Sequence, residues 1–205
     1  MNDPKENGLE FNRRAFLRGT GAATAAVTLS GTEAGSRPVE AAAADDEVLG
    51  PGRVPVKLIV NGKELSAELE PRVTLLDALR DYLDVTGCKR VCDRGACGSC
   101  TVLLEGKAVY ACSILAIDAR GKRITTCEGL ADGERLHPVQ QAFWNRDASQ
   151  CGFCTPGFVV ACAAVLQKKP RASVEEIKRG LDGNICRCGT YEQMAHAIRD
   201  LAGTA

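Results

Sequence analysis

The sequence has no surplus of either charge: Lys plus Arg and Asp plus Glu number 26 each. That balance excludes the basic field by which proteins hold nucleic-acid phosphates, so nucleic acid is not an expected partner. There is no internal repeat, no glycine-rich phosphate loop, and no nucleophile set beside a base that could activate it. Bond-making chemistry is therefore not expected of this chain. The mildest apolar run, Gly19 to Gly31, is too short and too weakly apolar to span a bilayer. Histidine is nearly absent, with two in 205 residues. What is plentiful is cysteine. Eleven are present, below the density of a disulfide-stapled mini-protein, and an odd count argues against complete pairing. With 45% hydrophobic and 25% charged residues, the chain can bury a substantial core in one or two domains.

Residues 1–44 differ in character from the rest. "NRRAFLRGTGAATAAVTLSG" sets Arg13 and Arg14 ahead of Phe16, Leu17 and an Ala/Gly/Thr run. The pattern resembles a twin-arginine export signal, with Asn12 where Ser or Thr is usual, and "VEAAAADDE" offers small-residue cleavage points near Ala43 or Ala44. A Pro/Gly-punctuated linker, residues 45–53, follows.

From residue 54 the chain becomes regular. "VKLIVNGKELSAELE" alternates apolar and polar residues on both sides of Asn61-Gly62, a hairpin signal. "TLLDALRDYL" spaces Leu75, Leu76, Leu79, Tyr82 and Leu83 along one helix face. A second hairpin is expected to turn near Glu105-Gly106, and "GKRITTCEGL" supplies a fifth short strand. These elements predict a small open sheet of the β-grasp type over residues 54–132. Beyond about residue 133 the signals are helical. Pro138 and Pro156 stand at helix starts, and Ser173 with Glu176 and Thr190 with Gln193 form capping boxes. The expected fold is α+β: a sheet domain followed by an all-α four-helix domain, residues 133–205.

The cysteines divide between these halves. Cys92, Cys97, Cys100 and Cys112 are spaced C-x4-C-x2-C-x11-C, whose first intervals are those of plant-type ferredoxins. Gly95 and Gly98 let such a loop bend sharply and turn its amides inward. Cys151, Cys154, Cys186 and Cys188 form C-x2-C-x31-C-x-C. A C-x2-C alone is shared by zinc sites, redox dithiols and iron-sulfur sites. The C-x-C partner favours a cluster held between two helix N-termini, whose positive ends suit an anionic core. Neither quartet contains histidine. Cys127 and Cys162 read as small buried hydrophobes, and Cys88 as a non-ligand, because using it would break the C-x4-C interval. His137 reads as a helix-entry residue, and Trp144 and Phe143 as core or interface.

"CDRGACGSCTVLLEGKAVYAC", "QCGFCTPGFVVAC" and "GNICRCGTY" together resemble the small iron-sulfur subunit of the xanthine dehydrogenase/aldehyde oxidoreductase family of molybdenum hydroxylases. The resemblance implies a plant-type ferredoxin domain followed by a helical domain, each with one 2Fe-2S cluster. It implies a large molybdopterin-binding partner, usually with an FAD-binding one, and electrons passing from molybdopterin through the helical-domain cluster to the ferredoxin-type cluster. It also implies that Gln150 and Cys188 lie against the pterin. The complex would oxidise an aldehyde, a purine or another nitrogen heterocycle with oxygen from water. The family usually has glycine where this chain has Val91, so an altered local backbone is expected there.

The leader fits this account, because the twin-arginine translocase carries folded proteins whose clusters are inserted in the reducing cytoplasm. A periplasmic complex is expected, with the large subunit carried along and a cytochrome or quinone as an acceptor alternative to flavin. A stand-alone two-cluster electron carrier is the alternative. It would surround its helical cluster with polar residues, whereas a subunit would present Phe143, Trp144 and Phe153 to a partner. A structural zinc protein is a third possibility, separated by metal content.

Overall fold

The computed structural model describes residues 49–202; the leader, with its twin arginines and cleavage points, lies outside them. Strand β1 (Val54–Val60) and strand β2 (Lys63–Leu69) pair antiparallel from Val54↔Leu69 to Val60↔Lys63. The connecting Asn61 and Gly62 have φ of 51° and 78°, the two positive values that a two-residue turn needs to match the strands' twist. Val56, Leu58 and Val60 alternate along β1 and are almost wholly buried, the period-two pattern of a strand covered on one face.

Helix α1 starts at Leu75, where the Thr74 hydroxyl accepts the Asp77 N–H at 3.1 Å. Its α-helical turn, Leu75–Asp77, runs directly into a π-helical turn, Ala78–Tyr82. The Leu83 N–H consequently reaches back to the Ala78 carbonyl at 3.1 Å. The wider turn keeps Leu75, Leu76, Ala78 and Leu79 in the core and leaves Tyr82 exposed, where the uninterrupted 3.6 period had placed Tyr82 on the apolar face. Each such leucine contributes roughly 1.5–3 kcal/mol by leaving water.

Strand β3 (Thr101–Leu104) and strand β4 (Lys107–Tyr110) form the second hairpin, turning at Glu105-Gly106. Strand β5 (Arg123–Thr125) lies between the hairpins, parallel to β1 and antiparallel to β3, giving the order β2-β1-β5-β3-β4. The sheet and α1 enclose one core. Asn61 ties the end of β1 to the end of β5: its Nδ2 donates to Thr126 Oγ1 and its Oδ1 accepts the Thr126 N–H, both at 2.9 Å.

Helices α2 (Pro138–Asn145), α3 (Thr155–Lys168), α4 (Val174–Gly180) and α5 (Tyr191–Ala202) enclose a second core. His137 enters α2 as its N-cap: Nδ1 accepts the Val139 N–H at 3.3 Å, while Gln140 Oε1 accepts the His137 N–H at 2.8 Å. Ser173 and Glu176 make the reciprocal box at the start of α4. Helix α3 is buried on nearly all sides, from Gly157 to Ala163, because it lies between the other helices and strand β3. Both cores belong to a single unit, Glu47–Ala205.

The halves also meet backbone on backbone. A Cβ added to Gly157, in the first turn of α3, would stand 2.2 Å from the Gly98 carbonyl oxygen. Gly157→Ala is therefore expected to destabilise the chain by about 1–3 kcal/mol, seen as an earlier thermal unfolding midpoint. Gly52→Ala, which meets nothing within 4 Å, should stay within about 0.5 kcal/mol of the parent.

Candidate metal centres

The first quartet is assembled by the β3/β4 hairpin. Pairing of Thr101 with Tyr110, continued by the Ala111 N–H donating to the Cys100 carbonyl at 3.3 Å, sets Cys112 beside the loop that carries Cys92, Cys97 and Cys100. In that loop φ is positive at Asp93, Gly95 and Gly98, at 53°, 70° and 69°. Val91 itself lies outside the left-handed region. The bend falls two residues later, on Asp93, a residue type that tolerates it. A side chain at Gly95 would meet Ser113 Oγ at 2.8 Å, and one at Gly98 would meet Asn184 Nδ2 at 2.5 Å.

The sharp loop aims amides at sulfur. Gly95 N–H donates to Cys112 Sγ at 3.2 Å and Ala96 N–H to Cys92 Sγ at 3.3 Å. The thiols act on one another two and two, Cys92 with Cys97 and Cys100 with Cys112. Burial pushes Cys100 up to about 12, helped by the Cys112 and Cys97 thiols. Burial also opposes ionisation of Cys92, but the N–H groups of Arg94 and Ala96 and the Cys97 thiol outweigh it and bring Cys92 down to about 7.

The second quartet brackets two helix starts. Cys154 is the N-cap of α3, Cys151 precedes it by one turn, and Cys186 and Cys188 occupy the segment entering α5. Again the thiols group two and two: Cys151 with Cys188, and Cys154 with Cys186. Burial, then Cys186, pushes Cys154 up to about 12. For Cys186 burial is outweighed by the Thr190 hydroxyl and N–H, the Cys154 thiol and the Gly189 N–H, which bring it down to about 7. The Phe153 N–H and the Cys188 thiol lower Cys151. Against a hydrogen bond from the Cys151 backbone, the Cys151 thiol pushes Cys188 up.

Among the described residues no three Cys, His, Asp or Glu side chains converge on a single ion-sized point. The two-and-two grouping of all-sulfur donors, with amides turned toward them and loop bends that exclude a Cβ, is what a pair of irons with bridging sulfides asks of a protein. These residues fit a 2Fe-2S cluster at each quartet.

The quartets are joined through residues that sequence reasoning missed. Ile185 N–H donates to the Cys97 carbonyl at 2.9 Å. Buried Asn184 donates from Nδ2 to the Gly98 carbonyl at 2.9 Å, and Tyr110 Oη–H donates to the Gly183 carbonyl at 3.0 Å. Asn184 stood in "GNICRC" next to the second quartet, and nothing local to it pointed to a loop 86 residues away in sequence.

Gln150, Cys151 and Cys188 are exposed, together with Phe153, Ile185 and Tyr191. Trp144 is 77% exposed, whereas Phe143, read as core or interface, is buried in the helical core. It continues the inward stripe of Val139 and Ala142, and the next position of the helix turns Trp144 out. Cys162 and Cys88 are buried in the helical and sheet cores, and half-buried Cys127 has the Gln140 amide 4.0 Å from its sulfur.

Three family patterns match the chain: a TAT (twin-arginine translocation) pathway signal sequence at residues 10–30, a 2Fe-2S iron-sulfur cluster binding domain at 58–132, and a [2Fe-2S] binding domain at 126–199. The aldehyde oxidoreductase iron-sulfur-binding subunit of Escherichia coli strain K12 is 40% identical over 212 residues, 95% of this chain and 90% of its own length. The xanthine dehydrogenase iron-sulfur-binding subunit of Escherichia coli O157:H7 is 40% identical over 154 residues, 74% of this chain and 96% of its own. The crystal structure of quinoline 2-oxidoreductase from Pseudomonas putida 86 superposes with a TM-score of 0.70 at 40% identity, over 74% of this chain and 95% of that one.

The three cysteines outside the quartets carry a prediction of their own. Burial pushes Cys88 and Cys127 up to about 11 and Cys162 up to about 12, so in the fold they remain thiols at pH 8. Iodoacetamide, which attacks thiolate, should leave all three unlabelled in the folded chain at pH 8 and label them after unfolding, as read by peptide mass spectrometry. Because the unfolded chain releases these protons near pH 9 while the fold retains them, stability should fall as pH rises from 9 toward 11.

Proposed function

The chain belongs to the iron-sulfur subunits of the xanthine dehydrogenase/aldehyde oxidoreductase family, and from that premise we propose that Cys92, Cys97, Cys100 and Cys112 hold one 2Fe-2S cluster and Cys151, Cys154, Cys186 and Cys188 another. A bound 2Fe-2S cluster stores and passes one electron at a time. The chain's part is to fix the two sites at a constant separation. The hydrogen bond from Ile185 N–H to the Cys97 carbonyl carries this reading, because it links the residue before one ligand to the backbone of another. The plant-type ferredoxin domain is residues 54–132, and the four helices of residues 133–205 form the second cluster domain.

The helical-domain site faces the large molybdopterin-binding subunit. Gln150 and Cys188 are its contacts to the pterin, within a surface where Phe153, Ile185 and Tyr191 are each about half exposed. Apolar side chains around an exposed thiol pair suit a covered interface and disfavour a free carrier. The ferredoxin-type site, where Val91 is exposed and Cys92 is partly so, passes electrons to an FAD-binding subunit or to a cytochrome or quinone. This chain offers the oxidation of an aldehyde or nitrogen heterocycle no catalytic group of its own; that reaction takes place on the partner.

The signal at residues 10–30 supports export by the twin-arginine translocase to the periplasm. The route accepts a folded complex, so clusters are inserted first and a partner without a signal is carried along. All eleven cysteines are free, which suits assembly in a reducing compartment.

Cys97→Ser and Cys154→Ser should each halve the iron bound by the chain purified in its complex, with different halves of the visible spectrum lost. Full iron in both variants would refute the ligand sets, and zinc in place of iron would refute the cluster assignment. The same preparation should contain molybdenum in a larger subunit.

A further inference from the structure

Thr190 is 1% exposed, and its hydroxyl lies 3.1 Å from Cys186 Sγ. Sequence pattern placed Thr190 at a helix start, where a threonine hydroxyl usually accepts a backbone N–H. Here the same hydroxyl faces sulfur. In the free chain either atom can donate. Once Cys186 is a thiolate ligand its sulfur carries no proton, and the hydroxyl becomes the donor.

The contact is held from the other side as well. Cys186 N–H donates to Tyr191 Oη at 2.7 Å, and the Tyr191 ring meets Phe158 edge-on, with centroids 6.3 Å apart at 78°. Cys186 is thus pinned by the two residues that open α5. The first quartet is served differently. Its short contacts to sulfur are the amides of Gly95 and Ala96, while the Ser99 and Ser113 hydroxyls stand farther off, at 3.6 Å from Cys97 Sγ and 3.7 Å from Cys112 Sγ.

Resting on the ligand sets proposed above, we propose that Thr190 is a positioning residue whose hydroxyl raises the reduction potential of the helical-domain site. Donation to the Cys186 thiolate draws charge from the sulfur and so favours the state that carries one more electron. One electron arrives from the molybdopterin-bearing partner, or from dithionite in a test; no bond in this chain forms or breaks, and the hydroxyl keeps its proton. The effect makes the site beside Gln150 and Cys188, where electrons enter, a better sink than its cysteines alone would make it.

The test is a redox titration of the assembled complex followed by electron paramagnetic resonance, with Thr190→Val, Thr190→Ala and Thr190→Ser beside the parent. Val and Ala should lower the midpoint of one signal, the one that Cys154→Ser abolishes, and leave the other unmoved; Ser should keep the parent midpoint. If Val fails to assemble, Ala supplies the same contrast. Both midpoints unchanged in a variant lacking the hydroxyl would overturn the proposal, as would a Ser variant that shifts as far as Ala. A parent complex without two signals would overturn the ligand sets themselves, and two parent signals with an unmoved Ala variant would overturn only the role of Thr190.

Discussion

Sulfur anions gathered at one point repel, and the structure depends on how the chain holds them there. Without metal, burial and neighbouring thiols keep Cys100 and Cys154 protonated, pushed up to about 12, while inward-facing amides and a hydroxyl let Cys92 and Cys186 ionise near 7. The fold therefore supplies each quartet with some donors ready as thiolate and others that ionise only when a cation compensates them. The loop at residues 92–100 and the helix starts at Cys154 and Tyr191 are two ways of reaching the same end. Both use left-handed residues beside the cysteines, Gly95 and Gly98 in one and Gly152 and Gly189 in the other; the second also sets its cysteines at helix starts.

The second constraint is distance between the sites. The Gly157 Cα lies so close to the Gly98 carbonyl that no side chain fits between them, and Asn184 and Ile185 bond to carbonyls in the first cysteine loop. These contacts are backbone or fully buried, so the two halves, each with its own hydrophobic core, share a rigid seam at the cysteines. A seam of this kind suits transfer between fixed sites better than docking of a mobile domain would.

Much of this was legible in the sequence where the chemistry is local. Asn61-Gly62 can turn one way, Pro138 and Ser173 open helices by their own hydrogen-bonding properties, and the intervals among cysteines report ligation because a loop of given length reaches only so far. What stayed hidden depends on long-range packing. The parallel pairing of β1 with β5 joins segments about sixty residues apart and leaves no mark on either. The π-helical turn at Ala78–Tyr82 turned Tyr82 outward, and Phe143 went to the core because its helix packs on α3 and α5. The left-handed residue at the start of the first cysteine loop is Asp93, which no sequence pattern singled out. Asn184 was unreadable because a polar residue beside cysteines shows no partner until the distant loop is in place, and Thr190 was legible as a helix start but not as a partner of the Cys186 sulfur.

The central claim is that one chain holds two separate one-electron sites, each built by its own quartet. Spin-quantified electron paramagnetic resonance of the dithionite-reduced complex tests it most directly. Two distinguishable signals of equal spin, each assignable to one quartet, are expected; a single signal, or none from an iron-loaded sample, would contradict the account.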